Sequence, residues 1–154
     1  MEPAPPAADF SILVRAYFQD TDAGGIVYHA RYLDFFERCR MDWLRALGLP
    51  ATTMARDHGV MFVVHALRID YLRPARLDDE LSVSLVRGSA RGAQLPLRQT
   101  VDRDGEMLVS AEVSLACVNA GTLRPARLPG ALRARLTVPD QPAVRPPSFA
   151  ATTP

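Results

Sequence analysis

The chain contains no lysine, only two cysteines, no apolar run of membrane-spanning length and almost no net charge. A formal charge of +1 supplies no global field to recruit nucleic acid. All 18 basic residues are arginine, a bias that genomic base composition explains, although forked guanidinium groups also suit phosphate contacts. Cys39 and Cys117 stand far apart in different expected elements, which fits neither a metal-ligand pair nor a disulfide framework. They read as buried thiols of a reducing compartment. The opening "MEPAPPAADF" lacks the basic and apolar regions of a secretory signal. No segment reaches the roughly 20 apolar residues that a bilayer requires. The expectation is a cytoplasmic protein with no integral membrane segment and no nucleic-acid partner.

What is present points to one globular domain. A length of 154 residues is enough to bury a core, and 48% of them are hydrophobic. There is no internal repeat. Eight of the 13 prolines lie near the two ends, so residues 1–9 and 137–154 are expected to be Pro/Ala-rich disordered tails around a domain at 10–136.

From Phe10 the pattern alternates, with Phe10, Ile12, Val14, Ala16 and Phe18 on one face of a strand that stops at Asp20. The period then becomes helical. Tyr32, Phe36, Cys39, Trp43 and Leu47 form an apolar stripe, and Asp34, Glu37, Arg38 and Asp42 lie opposite. This predicts a long helix from about Ala30 to Leu47, stopped by Gly48 and Pro50. A helical turn is expected near Thr52 to Asp57. "VMFVVHALRIDYL" then reads as a long strand closed by Pro74, and Leu81, Val83 and Leu85 define the next. Leu95, Leu97 and Val101 define another, in which Pro96 suggests an edge position or a bulge. Asp104-Gly105 predicts a hairpin turn into a last strand carrying Val109, Ala111, Val113, Leu115 and Cys117 inward. Short connections favour antiparallel pairing. The fold class is therefore α+β, one long helix wrapped by a curved antiparallel sheet of about five strands.

Chemistry concentrates in "FQDTDAGGIVYHARYLDFFE", residues 18–37. A helix starting near Tyr28 to Ala30 offers free backbone N–H groups and the positive end of its dipole to an oxygen gaining charge. Gly24 and Gly25 let a bulky group approach the backbone. Asp22 is placed to act as a nucleophile or general base, and His29 to polarise a substrate or position water. Read singly, Asp20 is a turn residue accepting backbone N–H bonds, Asp22 a cap or solvated loop acid, and His29 a surface residue of a first turn. His58 and His65 read as structural, and Asp-x-Asp without further carboxylates predicts no metal site. The conjunction of acid, double glycine, histidine and helix start is what singles the segment out.

"DTDAGGIVYHARYLDFFERCR", residues 20–40, closely resembles the signature of hotdog-fold thioesterases of the 4-hydroxybenzoyl-CoA type. Within that superfamily it is most similar to the Tol-Pal-associated, YbgC-like acyl-CoA thioesterases. The resemblance extends through "IDYLRPARLDDEL" and "NAGTLRPARLP". It implies a hotdog fold and a catalytic Asp22. It places Gly25 in the active-site turn, the His29 backbone N–H on the carbonyl oxygen, and the His29 imidazole among the catalytic groups. Tyr28 belongs to the same substrate-binding stretch. Arg87, Arg91 and Arg124 match positions that bind the phosphates of CoA. Phe18 departs from the pattern, because the subfamily often carries tyrosine there. The resemblance also implies a homodimer or homotetramer with sites at the interface. The expected function is hydrolysis of an acyl-CoA or acyl-carrier-protein thioester to the free acid and thiol, without a cofactor. The alternatives are a non-catalytic hotdog module binding such a thioester as a scaffold for lipid-synthesis or envelope partners, and a hydratase or dehydratase acting on a CoA ester.

Overall fold

A computed structural model describes residues 6–137; the outer parts of both expected tails, residues 1–5 and 138–154, lie outside the described residues. The element order is β1 (Phe10–Arg15), a 3-10 turn (Phe18–Asp20), α1 (Arg31–Ala46), α2 (Ala51–His58), β2 (Val60–Tyr71), β3 (Glu80–Arg87), β4 (Gln94–Arg103), β5 (Glu106–Asn119) and α3 (Gly130–Leu136). The five strands form one sheet in the order β1-β3-β4-β5-β2, and every neighbouring pair is antiparallel. The α+β hotdog arrangement expected from the sequence is present. Two shorter helices accompany α1, and α3 has no counterpart in the sequence reading.

The apolar stripe of α1 explains its position. Tyr32, Phe35, Phe36, Cys39, Trp43 and Leu44 are all buried, in one core with Leu81, Val83 and Leu85 of β3 and Val109, Ala111 and Val113 of β5. Two polar contacts pin helix to sheet: the Cys39 thiol donates to the Val83 carbonyl at 3.4 Å, and the buried Gln99 amide donates to the Phe36 carbonyl at 3.1 Å. Gln99 in turn accepts from the Arg40 guanidinium at 2.9 Å, so both ends of a polar side chain inside the core are satisfied. Gly48 ends the helix as expected, with φ +74°. Its N–H reaches the Arg45 carbonyl and the Leu49 N–H the Leu44 carbonyl, both at 2.9 Å, the double bond of a Schellman stop.

The Asp104-Gly105 turn is also as expected. Both residues have positive φ, 51° and 80°, and they join Arg103 of β4 directly to Glu106 of β5, as a type I′ hairpin requires.

Two local expectations are corrected. Phe18 does not share the inward face of β1: the strand ends at Arg15, and Phe18 sits 82% exposed in the 3-10 turn. Pro96 lies neither on an edge strand nor at a bulge, because β4 is paired on both sides and its register shifts only between Val101 and Asp102. The proline is tolerated because its missing N–H points at the end of β3, where the Gly88 N–H donates to the Pro96 carbonyl at 2.8 Å. A Cβ on Gly88 would meet the Pro96 ring at 2.7 Å, so glycine there makes room for proline.

β2 is the long strand expected, and it carries a bulge. Its register against β5 slips between Val64 and Ala66, leaving His65 as an extra residue. Phe62 and Val64 therefore face the core side opposite Cys117 and Leu115, and so do Leu67, Ile69 and Tyr71 opposite Val113, Ala111 and Val109. Without the bulge, Val64 and Leu67 would point to opposite faces.

Burial pushes the Cys39 thiol up to about 11, and burial raises Cys117 as well. Both thiols are also buried from solvent, which keeps either from acting as an accessible nucleophile. The native protein should leave both cysteines unreacted with a thiol-reactive dye over minutes, and both should react after unfolding in urea. A fast-reacting thiol in the native state would contradict this packing.

Candidate active site

The site begins where β1 stops. Asp20, buried at the end of the 3-10 turn, accepts the Tyr17 N–H on its carboxylate at 2.9 Å. Its backbone carbonyl accepts the Tyr28 N–H at 2.8 Å, and the Arg31 guanidinium lies 3.9 Å from its other carboxylate oxygen. Asp20 thus ties together the end of β1, the turn and the entry to α1, as the turn-residue reading expects.

Asp22 has a different environment. It is exposed, at the start of a loop closed by a bridge between Thr21 and Val27. One carboxylate oxygen accepts the Gly24 N–H at 2.8 Å, and the Gly25 N–H donates to the Asp22 carbonyl at 3.0 Å. A Cβ on Gly24 would lie 3.0 Å from that carboxylate oxygen, while Gly25 takes φ +76°. One glycine therefore admits the Asp22 side chain and the other supplies a left-handed turn. The carboxylate keeps its second oxygen for another partner and caps no helix.

Past Val27 the chain enters α1 without a side-chain cap, because Ala30 occupies the N-cap position. Among the described residues, neither the His29 nor the Ala30 N–H donates to a protein acceptor. The rings of Tyr28 and His29 lie 4.5 Å apart, and both residues are exposed. The Thr21–Val27 bridge thus closes the loop that carries Asp22 and Gly25, and the chain runs from it directly through Tyr28 and His29 into the positive end of the helix.

Tyr71, at the end of β2, is a member of this site that the sequence reading missed. Its hydroxyl donates to the His29 carbonyl at 2.8 Å, and its ring meets the edges of His29 and Tyr32 at 6.3 and 5.7 Å. Burial raises the Tyr71 phenol above its ordinary value, so it remains a donor at neutral pH. Tyr71 lies inside the "IDYLRPARLDDEL" stretch, where periodicity gave it no role beyond membership of an apolar strand.

The three candidate arginines lie elsewhere. Arg87 ends β3, Arg91 lies in the β3–β4 loop bridged to Gln94, and Arg124 offers its carbonyl to the Asn119 N–H at the end of β5. All three sit at the end of the sheet where β2 begins, since Val60 pairs with Asn119. The Asp22 loop is at the other end, beyond Arg15 and Glu80. β5, which runs between these ends, has 14 residues, about 45 Å of strand at roughly 3.3 Å each. Arg91 and Arg124 are exposed. The Arg87 guanidinium is engaged by the Asp9 carboxylate at 3.3 Å and the Arg135 carbonyl at 3.2 Å.

Residues 17–136 match the thioesterase-like superfamily, and the chain belongs to it. The chain is 44% identical over 125 residues to the acyl-CoA thioesterase YbgC of Haemophilus influenzae, covering 81% of this chain and 92% of that one. It is 40% identical over 117 residues to the acyl-CoA thioester hydrolase YbgC of Escherichia coli O6:H1, covering 75% and 87%. The crystal structure of a probable thioesterase from Bartonella henselae superposes with a TM-score of 0.72 at 38% identity, over 77% of this chain and 98% of that one.

The segment after β2 supports the site from beneath. Val27 N–H donates to the Ala75 carbonyl at 2.9 Å, and Asp79 holds this segment by accepting the Arg76 N–H at 2.8 Å and the Arg103 guanidinium at 2.6 Å. Partial burial alone would raise the Asp79 carboxyl, but the Arg76 N–H and then Arg103 outweigh it and hold it below the usual carboxylate range. The resulting stabilisation is complete above the unfolded value of about 4 and is lost as pH falls through the lower folded value. Asp79→Asn should therefore cost roughly 1–2 kcal/mol in urea unfolding at pH 7, and the gap from wild type should close as the pH is lowered below about 4. A gap independent of pH would exclude this role for the carboxylate.

Proposed function

We propose that this protein is a thioester hydrolase that cleaves acyl-CoA to the free carboxylic acid and CoA, with Asp22 as its catalytic carboxylate. The observation that carries the reading is an exposed Asp22 on a glycine turn that leads into the open N-terminus of α1. It is joined by 44% identity to a relative named an acyl-CoA thioesterase.

In this mechanism the thioester carbonyl oxygen faces the His29 N–H, where the helix dipole and an unbonded donor stabilise the negative charge that develops on it. Asp22 attacks the carbonyl carbon directly, or deprotonates the water that does so. Collapse of the tetrahedral intermediate breaks the C–S bond and releases the CoA thiolate. With water as nucleophile, the proton taken by Asp22 returns to that thiolate. By the direct route an acyl–Asp22 anhydride forms and water then hydrolyses it. A thiolate leaves readily, so a carboxylate and an oxyanion donor meet the chemical need without a serine nucleophile. The His29 imidazole, between Tyr28 and Tyr71, is placed to orient substrate or water. An acyl-carrier-protein thioester presents the same carbonyl and is the related substrate to compare.

The reading includes a homodimer formed through β2. That strand is a sheet edge of 12 residues, and Val64, Leu67 and Tyr71 on its core-side face are 49%, 41% and 46% exposed. A free apolar edge of this length is a template for another strand. Two copies related by a twofold axis would pair β2 antiparallel, setting the Val60 end of one beside the Tyr71 end of the other. Arg91 and Arg124 of one copy would then approach the Asp22 loop of its neighbour and offer donors to the CoA phosphates. Arg87, already engaged by Asp9, would serve mainly to hold that end of the sheet. In a tetramer built from two such dimers the same β2 seam would be retained. Two buried free thiols suit a cytoplasmic setting.

Thiol release from short, medium, long and aromatic acyl-CoAs, and from carrier-protein thioesters, tests the activity. Asp22→Asn should lower kcat at least 100-fold, about 3 kcal/mol in the barrier, with the thermal midpoint preserved. Normal turnover by the folded variant would sink the assignment. His29→Ala should lose less than Asp22→Asn if only its backbone donates, and a comparable amount if the imidazole takes part. For the assembly, Val64→Arg should shift the protein to a smaller species by light scattering. An unchanged mass would place the seam elsewhere.

A further inference from the structure

We infer that Tyr71 is a positioning residue that locks the peptide between His29 and Ala30, so that the backbone donors at the start of α1 stay turned toward a developing oxyanion. The inference rests on the hydrolase reading above and assigns a part of the site which that reading leaves open: what keeps the donors in place.

The need for such a lock comes from the way α1 begins. Its N-cap is Ala30, which has no side chain able to bond the first turn. The Tyr28 carbonyl accepts the Arg31 N–H at 2.8 Å, and the Ala30 carbonyl accepts the Leu33 N–H at 3.1 Å. Among the described residues, the carbonyl between them, that of His29, receives no backbone N–H. The Tyr71 hydroxyl is its hydrogen-bond partner, at 2.8 Å. In a trans peptide the C=O and the following N–H point in opposite directions. Holding the His29 carbonyl toward Tyr71 therefore turns the Ala30 N–H away from Tyr71. A flip of this peptide would reverse both groups and change the direction of the His29 residue at the same time.

Its ring contacts, a neighbouring bond and its place in the sheet make Tyr71 a rigid support. Its ring packs edge-on to His29 and to Tyr32, so the imidazole and the hydroxyl acceptor are held by one side chain. The Tyr32 hydroxyl accepts the Ala75 N–H at 3.1 Å, which fixes the chain four residues beyond Tyr71. The Tyr71 backbone ends β2 in register with Val109 of β5. A hydrogen bond to the carbonyl also polarises the amide and strengthens the Ala30 N–H as a donor. The Ala30 N–H thereby becomes a second oxyanion donor beside that of His29.

The decisive variant is Tyr71→Phe, which keeps the ring and removes only the hydroxyl. With an acyl-CoA that the wild type hydrolyses, kcat should fall about 10- to 100-fold, KM should stay within about twofold, and the thermal midpoint should move by no more than a few degrees. The amide cross-peak of Ala30 in a 1H–15N spectrum should shift, because its N–H shares a peptide with the carbonyl that loses its donor. Unchanged kcat beside an active wild type overturns the inference and leaves the hydrolase reading standing. A raised KM with unchanged kcat also overturns it, since that result assigns Tyr71 to ground-state binding. If the wild type hydrolyses no thioester, the hydrolase reading falls, and an unshifted Ala30 cross-peak then overturns the Tyr71 lock independently.

Discussion

One sixteen-residue helix packed into the hollow of one five-stranded sheet is the contact from which the remaining structure follows. The apolar stripe of α1 has no other surface large enough to cover it. Its burial therefore fixes where the helix begins, and the beginning of the helix is where charge can be stabilised. The segment ahead of α1 must turn sharply to enter at that point. Asp20 and the Gly24-Gly25 pair make the turn possible, the first by accepting N–H groups and the second by relaxing steric limits. The chemistry of the loop and the packing of the core are consequences of the same placement.

That placement also has an asymmetric cost. A single helix can shield only part of a five-stranded sheet, and on the core side of β2 it leaves Val64, Leu67 and Tyr71 half-exposed. The bulge at His65 makes this sharper, because it turns Val64, Leu67, Ile69 and Tyr71 all to the core side of the strand. An edge strand with one apolar face and a free backbone is a liability in a monomer. In the proposed twofold assembly the same strand would become a seam, and the distance between the Asp22 loop and the exposed arginines of one chain would become a short distance between two chains.

The sequence disclosed what depends on local period and turn chemistry. The α1 stripe, the Gly48 stop, the Asp104-Gly105 hairpin and the inward faces of β3 and β5 could all be read directly, because each is set within a few residues. The Asp22–His29 segment was legible for a similar reason: its acid, glycines and helix start are contiguous. What could not be read depends on partners distant in the chain. Alternation placed Phe18 inward because nothing local shows that β1 ends at Arg15. Pro96 suggested an edge because its tolerance depends on Gly88, in a neighbouring strand. The bulge at His65 was present as a change of parity in "FVVHALRIDY", but a continuous apolar run conceals parity. Tyr71 was hidden most completely, since its partner lies 42 positions earlier.

The two aspartates of Asp-Thr-Asp show how environment divides identical chemistry. Asp20 is buried and meets the Tyr17 N–H on one oxygen and the Arg31 charge near the other, so its carboxylate is committed to the fold. Asp22, two residues on, is exposed and gives one oxygen to its own turn. The bond from Gly24 holds the carboxylate in a defined direction without consuming it. On the proposed reading the loop needs both acids in that order, because a reactive carboxylate on a turn is useful only if the turn is anchored. Asp20 supplies the anchor on the strand side, the Val27–Ala75 bond supplies it from beneath, and Tyr71 supplies it at the helix entrance. The site is thus a short exposed segment restrained from three directions by elements that owe their own positions to the core.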